Sequence, residues 1–186
     1  MKQIITSIIL LFLLQPTASA QKTGGEKYGT TLNLGVGIGY YGYIGQSIPA
    51  IHADLEFDVA RNFTLAPFIT VLTYQNNYYW GNSNNPYRYY SYRRTIVPVG
   101  LKGSYYFDQF LGAGSNWDFY LAGSLGFAFR TTRWENGYYG ETTVNKGTSG
   151  IYFDGHIGAE YHFNGKVGLL LDLSSGISTL CLAIHF

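Results

Sequence analysis

The chain has 186 residues, twelve Lys and Arg against eleven Asp and Glu, one cysteine, 24 glycines and 18 tyrosines. A single cysteine excludes an intramolecular disulfide and a cysteine-rich zinc site, and the near-balanced charge gives no field that would draw nucleic acid. The length suits one domain, and abundant Gly and Tyr with one Met and five Pro favour strands over helices.

In chain order, residues 1–20 read as a cleaved secretory signal. Lys2 is the positive n-region, residues 4–14 are a short apolar core broken by Pro16, and Ala18-Ser19-Ala20 is a small-residue cleavage site. The apolar run falls short of the roughly 20 residues that a membrane-spanning helix needs. No cysteine follows the cut to carry a lipid anchor. The expected mature chain, 21–186, is one exported domain whose positive and negative charges match once Lys2 is gone.

From there no helical period emerges; alternation with period two recurs instead, in segments of about ten residues. In 31–41, Leu32, Leu34, Val36, Ile38 and Tyr40 oppose Asn33, Gly35, Gly37 and Gly39. No helix pattern follows these glycines, so they form no phosphate loop. In 48–59, Ile51, Ala53, Leu55, Phe57 and Val59 oppose His52, Asp54, Glu56 and Asp58. Segment 64–74 is apolar on both faces, which leaves its register open, and 75–91 reads as a long polar-aromatic loop. Segment 94–106 sets Val97, Val99, Leu101 and Tyr105 against Pro98, Gly100, Lys102 and Ser104. In 117–130, Phe119, Leu121, Leu125, Phe127 and Phe129 oppose Asp118, Tyr120, Ser124, Gly126 and Arg130.

A second long loop, 131–149, precedes 151–163, where Phe153, Ile157, Ala159 and Tyr161 oppose Asp154, His156, Gly158, Glu160 and His162. Asn164-Gly165 is a strong hairpin signal. It leads into 167–173, with Asp172 on the face of Gly168. The last segment, 177–186, sets Leu180, Leu182, Ile184 and Phe186 against Cys181, Ala183 and His185. Eight strands result. The compact links at 61–62, 108–116 and 164–165 fall at one end, the two long loops and the turns near Gly45 and Ser175 at the other. Pro67 and Pro98 sit inside strands, which predicts bulges or displaced strand ends.

Two barrels fit this alternation. A soluble lipocalin-like ligand-binding barrel turns its apolar row inward; a membrane barrel turns it to lipid. The polar row here is mostly Gly, Ser, Thr, Asn and Tyr, with few and sign-balanced ions, which suits a narrow filled interior better than a solvated exterior. Tyr40, Tyr41, Tyr43, Tyr74, Tyr105, Tyr106, Phe107, Trp117 and Phe119 fall near strand ends, where interfacial girdles form.

On these residues the chain resembles the small eight-stranded outer-membrane barrels of Gram-negative bacteria, the OmpX and OmpA-barrel type. The resemblance implies an all-β, antiparallel up-and-down transmembrane β-barrel, monomeric, exported to the outer membrane and embedded in its lipids. It implies termini on the periplasmic side, long loops outside, and Phe186 as the signal read by the barrel-assembly machinery. Backbone groups in lipid must all pair, so the last strand is expected to close on the first.

The expected lumen holds a polar network of His52, Asp54, Glu56, Asp58, Lys102, Arg130, Asp154, His156, Glu160, His162 and Asp172. His156, Glu160 and His52 are metal-ligating types, but spacing along single strands defines no coordination sphere, and no metal or other cofactor is assigned. Ser174, Ser175, His156 and His185 supply residue types for lipid A chemistry without any local signature, so no catalytic residue is assigned. Tyr78, Tyr79, Trp80, Tyr87, Arg88, Tyr89 and Tyr90 from the first loop, with Trp134, Tyr138 and Tyr139 from the second, are candidates for binding an extracellular glycan or protein. A structural or surface-interaction role follows, with a narrow solute channel as the alternative and a lipid-modifying enzyme after it.

Overall fold

The computed structural model describes residues 29–39, 48–112, 116–140 and 150–186. The expected signal segment, Tyr40, Tyr41, Tyr43, the turn near Gly45 and residues 141–149 of the second loop lie outside the described residues. Eight strands form: β1 (Thr30–Gly39), β2 (Ile48–Ala60), β3 (Phe63–Asn82), β4 (Asn85–Tyr106), β5 (Trp117–Trp134), β6 (Ile151–Asn164), β7 (Val167–Ser174) and β8 (Ile177–His185). One short helix, α1 (Asp108–Leu111), sits in the link after β4 and ends on left-handed Gly112. Each strand pairs antiparallel with its sequence neighbour, and β8 pairs with β1, for example Leu34 opposite Leu182, so the barrel is closed. The Phe186 N–H continues that seam by donating to the Thr30 carbonyl at 2.9 Å. Around the barrel itself, among the described residues, closure leaves no sheet edge to hydrogen-bond with water or with another chain.

The period-two pattern is inside out relative to a soluble protein. Leu34, Val36, Ile51, Leu101, Leu121, Leu125, Phe127, Phe153, Leu171 and Leu182 are exposed. Asn33, Asp54, Glu56, Lys102, Ser104, Ser124, Asp154, Glu160 and Asp172 are buried. An exposed apolar surface wrapping the whole sheet is intelligible only against lipid. Its limits are visible in the strands. The outward rows of β3, β4 and β5 run through apolar side chains to Val71, Val97 and Phe129, and the next outward residues are Thr73, Thr95 and Thr131. Those three threonines lie side by side across the strands, with Thr73 and Thr95 hydroxyls 3.1 Å apart. The row beyond is Gln75, Arg93 and Arg133. At the other end, ring contacts run from Phe107 to Phe119, Trp117, Tyr161 and Phe163, with centroids 4.9–6.5 Å apart. This girdle contains the expected Trp117, Phe119 and Phe107. Tyr106 and Tyr74, placed in the girdle by sequence, instead point inward, because both fall on the lumen row of their strands.

Strand β3 resolves its ambiguous register. Thr64, Ala66, Phe68, Thr70 and Leu72 are buried, and Leu65, Pro67, Ile69 and Val71 lie outward. Its sequence is apolar on both faces because the lumen itself has an apolar layer at that height: Ala50, Phe68, Leu72, Ile96, Tyr152 and Ile177 pack together inside. The prolines also differ from expectation. Neither Pro67 nor Pro98 causes a bulge. Pairing lapses opposite each on the side lacking the N–H, then resumes in the same register, while the other side stays paired as Pro67 with Leu101 and Pro98 with Ala128.

The largest correction is at 75–91. These residues are not a loop; β3 and β4 run on through them as a paired hairpin, with Asn77 opposite Ser91 and Tyr79 opposite Tyr89, turning at residues 83–84. At 20 and 22 residues, these strands are about twice the 9–11 that span a bilayer, so the hairpin stands well clear of the apolar belt. β5 likewise continues through Trp134, four residues into what reads as the second loop. At the compact end, Asn62 takes a left-handed φ of 55° in the β2–β3 turn, and the Asn164 side chain accepts the N–H groups of Lys166 and Val167 at 2.8 and 3.0 Å, which closes the β6–β7 turn.

Candidate functional site: a filled lumen beneath an aromatic hairpin

The inward rows stack as layers. Mid-lumen, Lys102 Nζ donates to Asp54 Oδ2 at 3.0 Å and lies 3.6 Å from Asp172 Oδ2. Asp54 also accepts from Asn33 Nδ2 at 2.8 Å and contacts His52 Nε2 at 2.9 Å, and His52 Nδ1 is 2.7 Å from Thr70 Oγ1. Across the barrel, Tyr120 donates to Asp172 at 2.7 Å, and His156 bridges Asp172 (2.7 Å) to Ser124 (2.8 Å). A buried ammonium between two carboxylates, with each carboxylate oxygen also met by a hydroxyl, amide or imidazole, meets the condition under which ions survive in an interior. The space left among His52, Thr70, Lys102, Ser124, His156 and Asp172 holds about one water molecule. Toward the hairpin the apolar layer around Phe68, Leu72 and Ile96 covers it, and toward the compact turns Tyr106, Tyr120, Leu170 and Cys181 do so.

A second polar tier lies beyond that aromatic layer, at the compact-turn end. Tyr106 donates to Glu56 Oε1 at 2.6 Å, and Thr64 also bonds this carboxylate. Glu160 Oε1 lies 2.7 Å from His185 Nε2, and His162 Nε2 lies 2.8 Å from Asp118 Oδ2.

The sequence-predicted lumen residues therefore fall into separate groups. His52, Asp54, Lys102, His156 and Asp172 share the middle tier, while Glu56, Glu160 and His162 belong to the lower one. Asp58 sits at the rim, where it accepts the Gly29 N–H at 2.9 Å. Asp154 has a turn-capping place: it accepts from Tyr152 and Ser174 at 2.9 Å and from the Ile177 N–H at 3.2 Å, besides Ser175. Arg130 does not join the carboxylates. It stands opposite Ile96, on the hairpin side of the apolar layer, beside the aromatic pair Tyr74 and Tyr92. The imagined set of His52, His156 and Glu160 is divided between two tiers. Asn33, Thr70, Tyr106, Tyr120 and Ser124 are network members that sequence reasoning did not name as such. Their inward position on alternating strands was the available signal.

The hairpin has two aromatic faces. On one, Trp134 and Tyr138 stack at 3.9 Å, Trp80 and Tyr90 each lie 5.2 Å from Tyr138, and Tyr78 lies 6.0 Å from Trp134. Arg88 sits 4.4 Å over the Tyr90 ring and 3.5 Å from Glu135. Glu135 in turn accepts the Ser91 N–H at 2.8 Å, tying the end of β5 to the hairpin. On the other face Tyr79, Tyr87 and Tyr89 stand 55%, 65% and 69% exposed, with Tyr79 5.8 and 5.0 Å from the other two rings. Tyr139 is also exposed. The ten binding candidates thus divide into a packed backing and a solvent-facing row.

No protein-family model matches the chain, and no curated protein matches it significantly. Among solved structures it is similar to Neisserial surface protein A, at 12% identity and TM-score 0.52, over 84% of this chain and 95% of that one. A de novo designed transmembrane β-barrel is matched at 13% identity and TM-score 0.47 over 87% and 98% of the two chains. The attachment invasion locus protein Ail of Yersinia pestis, solved with the heparin analogue sucrose octasulfate, is matched at 6% identity and TM-score 0.43 over 83% and 93%. The likeness to the Neisserial protein, added to the closed sheet and apolar exterior, gives the fold: an eight-stranded transmembrane β-barrel.

Proposed function

We propose that this chain is a monomeric barrel of a bacterial outer membrane, exported by a signal cleaved after residue 20, that acts at the cell surface without transport or catalysis. Its extended hairpin faces the exterior and binds an extracellular glycan or protein. Phe186 serves the assembly machinery. The observation that carries this reading is the row Tyr79, Tyr87 and Tyr89. Three neighbouring phenol rings project beyond the apolar belt on a paired backbone whose reverse side is anchored by Trp134 and Tyr138. Tyrosines held this way offer area and hydrogen bonding at little entropic cost on binding, and their ring faces suit sugars and protein apolar patches alike.

The test is adhesion of cells displaying the protein to immobilised glycans and extracellular-matrix proteins. Replacing Tyr79, Tyr87 and Tyr89 by Ser touches only exposed rings, so surface display should persist while adhesion falls at least about tenfold, the loss expected of central aromatic anchors. Adhesion that survives the triple replacement would remove this reading.

A further inference from the structure

Glu160 and His162 lie two residues apart on the inward row of β6, and His185 is inward on β8. The strand between them, β7, contributes Gly168 at this level, opposite His162 on one side and Ala183 on the other. A methyl group at 168 would overlap the Glu160 carboxylate; the bare backbone lets that carboxylate reach over β7 to His185. Its Oε1 lies 2.7 Å from His185 Nε2 and 3.7 Å from His162 Nδ1. One donor atom from each of the three side chains falls within 4.8 Å of the others.

The outer nitrogens of both rings are already engaged. His162 Nε2 lies 2.8 Å from Asp118 Oδ2, and His185 Nδ1 lies 2.9 Å from Thr31 Oγ1. A carboxylate can only accept, so Asp118 places the proton on His162 Nε2 and leaves Nδ1 as a lone pair turned toward Glu160. At His185 the 2.7 Å contact with the Glu160 carboxylate puts the proton on Nε2, so Thr31 Oγ1 donates to Nδ1; a metal ion arriving here displaces the Nε2 proton, and the Thr31 hydroxyl can turn to accept from Nδ1 instead. Outer-shell acceptors that orient imidazoles in this way accompany most protein metal sites. A lone pair on His162, a carboxylate oxygen of Glu160 and a His185 nitrogen whose proton a metal can displace converge on one point. Among the described residues, Glu160 and Asp118 make ion pairs with histidines alone, so no Lys or Arg neutralises this corner. The imidazoles keep 22% and 15% of their surface, which opens the point to solvent.

We propose that Glu160, His162 and His185 bind one divalent transition-metal ion, of the zinc class, at the compact-turn mouth of the lumen. Two imidazoles and a carboxylate select zinc, nickel or copper over calcium or magnesium, and three protein ligands leave a position for water. The ion bridges β6 to β8 across β7, beside the β8–β1 seam where Thr31 stands.

Untagged mature protein, refolded in detergent and freed of metal with chelator, is titrated with zinc chloride by calorimetry and with cobalt chloride by visible absorption. One equivalent of each binds, and cobalt shows the ligand-field bands of a low-coordinate nitrogen–oxygen site. Asp118→Asn weakens zinc binding about 10–100-fold, the range for loss of an outer-shell partner. Gly168→Ala weakens it by displacing the carboxylate, the double variant His162→Asn with His185→Asn abolishes it, and His156→Asn in the middle tier leaves it unchanged. Absence of one-to-one binding by the folded wild-type protein overturns the proposal, as does zinc binding that survives the double variant. Should the double variant fail to refold, the wild-type cobalt spectrum and the Asp118→Asn titration decide alone.

Discussion

Lys102 holds two carboxylates in place from one buried ammonium, 3.0 Å from Asp54 and 3.6 Å from Asp172. Replacing it by Met keeps most of the volume but strands both acids in the middle of the barrel. Breaking a buried pair from one side costs about 3–5 kcal/mol, so the unfolding free energy of Lys102→Met, from urea titration in lipid vesicles, should drop by that amount. Adding Asp54→Asn and Asp172→Asn should restore most of the loss, because the penalty belongs to the unpaired charges and not to the missing attraction. A second residue-level prediction concerns Gly158. It pairs with Tyr120 across β5 and β6, and the Tyr120 ring occupies the space where a Cβ at 158 would go. Gly158→Ala therefore forces the ring off its bond to Asp172. Overpacking of this kind costs about 1–3 kcal/mol, measured by the same urea titration.

At the scale of strands, the threonine row Thr73, Thr95 and Thr131 marks where lipid contact ends. The position can be read energetically. Leu125 lies three outward places before Thr131 on β5, near the middle of the belt. An arginine there should destabilise the barrel by roughly 2–4 kcal/mol, whereas Thr131→Arg should cost roughly 0–1, since the penalty on a lipid-facing row depends on depth. Equal costs in vesicle unfolding would move the membrane boundary. The belt was legible in the sequence because Leu, Ile, Val and Phe alternate with Gly, Ser and isolated ions, giving full contrast between faces. The hairpin beyond it was not. Tyr78 and Trp80 on one face alternate with Tyr79 on the other, so period two carries no contrast, and Asn76, Asn77 and Ser83-Asn84-Asn85 read as loop chemistry. The inward position of Asp54, Lys102 and Glu160 was equally legible, but their partners were not. Which ions meet depends on the stagger between strands, and it is the stagger that sends Glu160 to His185 and Lys102 to Asp172. The sequence puts Tyr106 in the girdle because a tyrosine near a strand end reads as an interfacial residue; its hydroxyl is in fact bonded to Glu56.

For the whole molecule, the layers decide between plug and pore. An ion entering from the hairpin end meets Arg94 and Arg130, then Phe68, Leu72, Ile96, Tyr152 and Ile177 packed across the bore. Beneath them lie the Lys102 tier and then Tyr106, Tyr120 and Leu170. Eight strands enclose room for side chains and little else, and here the side chains leave about one water's space beside Lys102. Conduction would require both apolar layers to open at once while the ammonium between Asp54 and Asp172 let go of its partners, and each of those events loses buried contacts or leaves a buried charge unpaired. Purified protein inserted in a planar bilayer in concentrated potassium chloride should accordingly show no steady conductance. Thinning one layer by Ile96→Ala should not create any, because the Tyr106 and Tyr120 layer still closes the other end. A steady ohmic current in the wild-type protein would make the channel reading the better one, and would place its gate at these two layers.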